Sequence, residues 1–345
     1  MVKGPEKVIF DEPELQSGFF GRKYFSPPKK APHFSNLQFK EHYNVTKAHV
    51  IVNPYSGKKK GVTVGNFVKE ELNNSKIEVE LYVTERPEHA IEIARTIELH
   101  EGDTIVTVGG DGTFCEVISG FMSRTKEASN IPLGLVPAGT GNSQANDMEI
   151  SDYMDAVERI TKGRVRQMDI AKTRFLEDDK EVIRYSHNLV GWGLGVDSNI
   201  LAEKMRFLGP LRYDIGVLLS IIRGKVRKAK CFIDEHLIES DFVLLLIQNT
   251  CTGGDRLRLA PNAQVDDGKM DLGIIYHIGR FKILKLFNQL KAQGSHIWNP
   301  NVEFYRFKTL RIETGAPTSI NIDGENLGTT PLDIKVLPSA IKVFN

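Results

Sequence analysis

Two textures of apolar and polar residues divide the chain. From Ala48 to about residue 165, short β-branched runs alternate with stretches whose apolar residues recur every three or four positions. His49–Val52, Ile77–Val83, Asp103–Val108 and Leu133–Val136 read as strands, because short apolar, β-branched runs fit a pleated, buried surface. Between them, Val64–Leu72 and Glu88–Leu99 read as helices; in the second, Ala90, Ile93, Ala94 and Ile97 share one face. A third helix runs to about Met122, with Phe114, Val117, Ile118 and Phe121 at helical spacing. Such alternation predicts a parallel sheet with helices on both faces.

Beyond about residue 165 the alternation stops. Met168–Lys172, Tyr185–Val190, Lys230–Ile233, Phe242–Gln248, Met270–Ile275, Lys308–Glu313, Ser319–Ile322 and Leu332–Val336 read as strands joined by turns, and only Ser198–Met205, Tyr213–Arg223 and Phe281–Leu290 as helices. The expectation is an α/β domain over residues 46–165 and a mainly antiparallel domain over residues 166–345. The joint falls near residues 163–167, and the last strand is free to return to the first domain. Residues 1–45 are mixed in pattern, and Ser26-Pro27-Pro28-Lys29-Lys30-Ala31-Pro32 breaks any helix, so this part reads as an extended, partly disordered leader.

Composition narrows the function classes. A chain of 345 residues, 41% hydrophobic, can build two cored domains. A net charge of +1 argues against a dedicated nucleic-acid binder. Cys115, Cys231 and Cys251 match no zinc spacing and no disulfide framework, which points to a reducing compartment. The apolar stretches Ile215–Ile222 and Phe242–Ile247 are far short of a membrane span, and the amino terminus has no signal core. A cytoplasmic protein is expected. Asn44-Val45-Thr46 fits the glycosylation pattern by coincidence.

Four polar, glycine-bearing segments hold the candidate chemistry: Asn53-Pro54-Tyr55-Ser56-Gly57, Gly109-Gly110-Asp111-Gly112-Thr113, Pro137-Ala138-Gly139-Thr140-Gly141-Asn142 and Asp323-Gly324-Glu325. The first three follow strands, so they gather at the carboxyl edge of the sheet, where such folds bind ligands. Glycines there let backbone N–H groups approach an anion, and a helix start adds its positive dipole end. Asp111 is unusual in a phosphate cradle: it repels phosphate unless a metal ion or an acceptor hydroxyl lies between. Phosphoryl transfer needs that arrangement. A lone GGDGT is more often an ordinary strand–turn–helix corner with an Asp cap, so the other segments decide.

In the order NPxSG, GGDGT, PxGTGN and DGE, over residues 47–344, the sequence resembles the diacylglycerol-kinase-type catalytic fold of sphingosine, ceramide and bacterial lipid kinases. The resemblance implies a Rossmann-like α/β domain, a carboxyl-terminal β-sandwich, and an ATP–Mg2+ site in the cleft between them. The stretch Asn188–Asp197 followed by Glu203–Tyr213 resembles the eukaryotic sphingosine and ceramide kinases. Their R-x-L-G-x-x-R arginines, which reach nucleotide phosphates, match Arg206 and Arg212; guanidinium suits phosphate because it binds bidentately and keeps its charge. Without the resemblance these are two exposed helix arginines.

The same resemblance implies Asp111 as general base, with Glu325, the favoured base of bacterial members, as its rival. It implies nucleotide contacts from Asn53, Ser56, Gly57, Thr84, Gly109, Gly110, Gly112, Thr113, Glu116, Gly139, Thr140, Gly141, Asn142 and Glu325. For Glu325 a hairpin turn is the plain alternative. Asp266-Asp267-Gly268 resembles a bacterial loop that holds structural magnesium, but a β-turn serves as well, and no structural metal is assigned.

The implied lipid contact is Asp197. Sphingosine kinases carry D-x-D here, the second acid pairing with the substrate amine; this chain has Asp197 and Asn199, and an amide cannot neutralise an ammonium. A sphingoid base stands first as substrate, ahead of ceramide and diacylglycerol. Leu211–Ile222 reads equally as a wall of an acyl tunnel or a buried core helix. The run Arg223, Lys225, Arg227, Lys228 and Lys230 suits anionic headgroups at a peripheral membrane surface. Competing readings are a soluble-substrate kinase such as an NAD kinase, where GGDGT also occurs, and a catalytically silent lipid- or nucleotide-binding regulator.

Overall fold

A computed structural model describes residues 5–8, 15–17, 23–25, 41–124, 130–139, 142–209, 211–253, 257–291 and 294–345. The first half runs β1 (Lys47–Val52), α1 (Gly61–Asn74), β2 (Glu78–Val83), α2 (His89–Thr96), β3 (Asp103–Gly109), α3 (Asp111–Met122), β4 (Pro132–Pro137), α4 (Ser143–Asp147) and α5 (Tyr153–Lys162). The strands pair in parallel in the order β2-β1-β3-β4, with Val52 beside Val108 and Val108 beside Val136. Every residue of β3 is buried, as expected for an inner strand covered on both faces. Val68 and Leu72 of α1, Ile93 and Ala94 of α2, and Phe114, Val117 and Ile118 of α3 close over it.

The second half runs β5 (Arg164–Glu177), β6 (Lys180–Ser186), β7 (Leu189–Gly193), α6 (Leu194–Lys204), α7 (Leu211–Arg223), β8 (Arg227–Ile233), β9 (His236–Gln248), β10 (Met270–Tyr276), α8 (Arg280–Lys291), β11 (Val302–Phe307), β12 (Thr309–Thr314), β13 (Ser319–Ile322) and β14 (Glu325–Phe344). Its pairs are antiparallel around a core containing Trp192, Phe242 and Phe307. β9, β8, β12, β14, β13 and β7 pair in a closed ring. The long strands β9 and β14 each pair with several neighbours, with register shifts at Phe242/Leu244 and Thr329/Asp333.

The halves share strands. The end of β14 lies parallel to β4, with Val343 beside Leu133, while its length pairs antiparallel with β5. Val165, Met168 and Ile170 of β5 pack in the first core, and Ala171 and Phe175 in the second. The joint expected near residues 163–167 is therefore the start of a continuous strand.

Other expectations need correction. Tyr185–Val190 is two strand ends about a corner: the Asp323 carboxylate accepts the N–H groups of His187, Asn188 and Leu189 and turns the chain. Helix α5 was not expected, although Asp152 caps it through Met154 and Asp155, and Gly163 (φ 64°) ends it. β11 was also missed. Within the leader, Glu6–Val8 pairs with β11, Glu41–His42 with β5, and Leu15–Ser17 with Lys23–Phe25. The break at Ser26–Pro32 lies outside the described residues. Among the described residues no helix is long and apolar enough to cross a membrane.

Candidate active site

Strands β1, β3 and β4 end side by side, and the three glycine segments that follow them lock together. Asn53 Nδ2 donates to Thr113 Oγ1 (3.0 Å), and the Ala138 N–H to the Gly109 carbonyl (2.8 Å). The Asn142 side chain closes its loop by accepting from the Gly139 N–H (3.0 Å) and donating to the Gly139 carbonyl (2.9 Å). The backbones touch: a Cβ on Gly139 would stand 2.6 Å from Gly110 Cα, and one on Gly57 (φ +55°) 2.2 Å from the Ala138 carbonyl oxygen. Helix α3 starts at Asp111, directly after Gly110. Its free N–H groups and dipole end open on this cradle, the arrangement that binds phosphate. Ser56 begins the short helix Ser56–Lys59, and Thr84 is buried at the end of β2, its N–H on the Val52 carbonyl. Thr140 and Gly141 lie outside the described residues.

Two carboxyls face the cradle in different states. Both oxygens of Asp111 are engaged: Oδ2 accepts from the Ser143 N–H (2.8 Å) and Oδ1 from the Gln144 N–H (3.0 Å) at the start of α4. Glu325 arrives from the other half, its Oε1 3.3 Å from where a Cβ on Gly112 would be. The residue as a whole is exposed, yet its carboxyl end is crowded by protein. That desolvation, reinforced by the negative charges of Glu116, Asp323 and Glu88, raises its pKa above the ordinary glutamate value. Glu116 is raised chiefly by burial and caps α2, accepting from the Glu88 and Ala90 N–H groups (3.2 Å each).

The candidate lipid side is held by side chains. Asn199 Nδ2 donates to the Gly324 carbonyl (2.9 Å), tying α6 to the turn before Glu325. Asp197 accepts two bonds from one guanidinium nitrogen of Arg227 (2.8 and 2.9 Å), so it does not stand free for a headgroup. Arg212 contacts Tyr213 and Glu203. Arg206 lies in the turn Arg206–Leu208, and its side chain is outside the described residues. Helices α7 and α8 run antiparallel, Asp214 bonded to Lys291 (2.6 Å) at one end and Gly224 against Arg280 at the other. Instead of a buried core helix, α7 presents Leu211 (65% exposed), Leu218 and Ile222 to solvent, and α8 presents Phe281 (91%).

Thus Asn53, Gly57, Gly109–Thr113, Gly139, Asn142 and Glu325 meet in one crevice, while Asp197 and Arg212 sit in local pairs. Sequence reasoning missed Ser143 and Gln144, which act through backbone N–H groups, and the pairing of Arg227 with Asp197, thirty positions away.

Residues 47–173 match the diacylglycerol kinase catalytic domain, and residues 188–345 the YegS C-terminal NAD kinase beta sandwich-like domain. The chain belongs to the diacylglycerol-kinase catalytic-domain family of lipid kinases. It is 28% identical over 326 residues to sphingosine kinase 1 of Arabidopsis thaliana, a match covering 78% of this chain but only 64% of that protein. It is likewise 28% identical over 302 residues to a diacylglycerol kinase of Staphylococcus saprophyticus, covering 86% and 95%. A crystal structure of a diacylglycerol kinase from Bacillus anthracis shares the fold with a TM-score of 0.69 at 22% identity, over 87% of this chain and 97% of that one.

Proposed function

We propose that this chain moves the terminal phosphoryl group of ATP to the primary hydroxyl of a lipid with an uncharged headgroup, diacylglycerol or ceramide, at a membrane surface. The observation that carries this reading is Glu325: a carboxyl of raised pKa set against Gly112 at the mouth of a backbone cradle. A carboxylate made more basic by its surroundings is suited to take a hydroxyl proton. Both oxygens of Asp111 are already engaged by the Ser143 and Gln144 N–H groups. The residue holds α4 against the cradle, and each of its oxygens keeps a lone pair for a hard cation. That donor set fits magnesium, which takes oxygen ligands, and a cation also relieves the repulsion between Asp111 and phosphate. Bound magnesium supplies neutralisation of charge on the phosphoryl oxygens.

The sphingoid base that the sequence favoured needs a free carboxylate for its amine. Asn199 is an amide and Asp197 is paired with Arg227, which favours the neutral headgroups. Docking is assigned to α7 and α8, where exposed Leu218, Ile222 and Phe281 stand among Arg223, Lys225, Lys282 and Lys285. Of the basic run expected to dock, Arg227 and Lys228 are instead paired with Asp197 and Glu239.

Glu325→Gln is expected to lower kcat about 10²–10⁴-fold with little change in the KM for ATP. Since Glu325 must be ionised to act and its pKa is raised, wild-type kcat falls on the acid side at a pH above the ordinary glutamate range. Asp111→Asn keeps that limb in place. Wild-type turnover with an unmoved limb in Glu325→Gln rejects the assignment.

A further inference from the structure

Near Glu325 lies a cluster that the proposed phosphoryl transfer does not use. Cys115 on α3, His187 at the corner between β6 and β7, and Asp323 in the turn ahead of β14 bring a sulfur, a ring nitrogen and a carboxylate oxygen within 4.8 Å of one another. The His187 and Asp323 side chains are fully buried, with Nδ1 3.0 Å from Oδ2. Asp323 is the charge partner of the ring, and neither ring nitrogen makes a further hydrogen bond among the described residues. Phe114 fixes the ring by edge-on packing at 5.2 Å.

Asp323 is equally fixed. Oδ1 accepts from Ser186 Oγ and from the N–H groups of Asn188 and Leu189, while Oδ2 accepts from the His187 N–H. Oδ2 also faces His187 Nδ1 in a fully buried ion pair.

We propose that Cys115, His187 and Asp323 form a binding site for a zinc-class divalent metal that joins the α/β half to the antiparallel half. Sulfur, imidazole nitrogen and a single carboxylate oxygen are a donor set for zinc or cobalt, whereas magnesium takes oxygen ligands alone. The N–H and O–H donors on Asp323 orient the carboxylate as outer-shell partners of metal ligands do. Binding releases the Cys115 thiol proton, together with any proton on the coordinating ring nitrogen of His187, to solvent as the metal bonds form. Nothing here depends on the lipid or on the identity of the base, so failure of this site leaves the proposed function standing.

The test is titration of the chelator-treated full chain with Co2+, read by absorption. The expected result is one saturable equivalent with a sulfur-to-cobalt charge-transfer band, displaced by Zn2+, undisturbed by millimolar Mg2+, and accompanied by a rise in Tm. Cys115→Ala and Cys115→Ser, each checked for folding by circular dichroism, are expected to lose the band, while Cys251→Ala keeps it. A folded wild-type chain without the band overturns the site. So does a band that survives in either folded Cys115 variant, or displacement of cobalt by magnesium.

Discussion

The backbone cradle and the helices α6, α7 and α8 are built by opposite means. In the cradle the parts are main-chain atoms: Gly110 against Gly139, Gly57 against the Ala138 carbonyl, and the Ser143 and Gln144 N–H groups on Asp111. Around α6, α7 and α8 they are side chains: Asp197 on Arg227, Arg212 on Tyr213, and an apolar stripe of Leu211, Leu218 and Ile222 turned to solvent. A backbone cradle has no rotamers to lose and tolerates no added atom. A side-chain surface can be redrawn one residue at a time. One end of the proposed site is therefore rigid main chain, and the other is a surface of side chains.

The largest expected effect comes from adding one methyl group to the rigid end. In Gly139→Ala the new Cβ would lie 2.6 Å from Gly110 Cα and 2.8 Å from Asn142 Oδ1, and backbone cannot move aside as a flexible side chain can. The two loops must part by a sizeable fraction of an ångström. Displacement on that scale at a phosphoryl-transfer site costs on the order of 10²-fold in kcat/KM for ATP. Binding to anionic vesicles is expected to stay at the wild-type level, because α7 and α8 are remote from the change. Near-normal ATP use by Gly139→Ala would remove the distinction between the two regions.

The same distinction decides what could be read from the sequence. The strands of the parallel sheet and the convergence of the first three glycine segments were legible, because backbone-only contacts demand glycine at fixed offsets and leave a short local signature. The fourth, which reaches the cradle through the Glu325 side chain, was expected only from the family resemblance. β11, with its alternation weakened by Glu303 and Arg306, left no such mark. Neither did the Asp197–Arg227 pair, which joins α6 to β8. The state of α7 was also hidden: an apolar stripe at three- and four-residue spacing looks alike whether it faces a core, a tunnel or water. Periodicity identified the helix, but only tertiary placement shows that Gly216, Ser220 and Ile221 are the buried face.

A middle-sized effect tests that exposed stripe. Phe281→Asp removes an aromatic ring that is 91% exposed and adds a charge among Lys282, Lys285 and Arg280. Burying such a ring in a membrane interface is worth roughly 1.5–3 kcal/mol, so vesicle binding in a sedimentation assay is expected to weaken about tenfold or more. Turnover of a short-chain, water-soluble diacylglycerol is expected to stay unchanged, since the residue is outside the crevice. Equal losses on vesicles and on the soluble substrate would mean that α8 serves the fold and not the surface.

The smallest expected change is the one that bears on substrate identity. Arg227 neutralises Asp197 and lies 5.9 Å from the Trp192 ring centroid, holding the acid in a partly buried pair with 17% and 20% of the two side chains exposed. Arg227→Leu leaves that carboxylate without its partner, and a lipid amine can then take the vacated place. The ratio of sphingosine to diacylglycerol turnover is expected to rise several-fold, since a partly exposed ion pair contributes about 1 kcal/mol or less. Adding Asp197→Asn to the same chain is expected to return the ratio to its starting value, because no acid remains for the amine. The control is Asp197→Asn alone. If wild-type enzyme already turns over sphingosine best and this single change abolishes the preference, the amine is displacing Arg227 in normal catalysis, and the substrate is the sphingoid base rather than a neutral lipid.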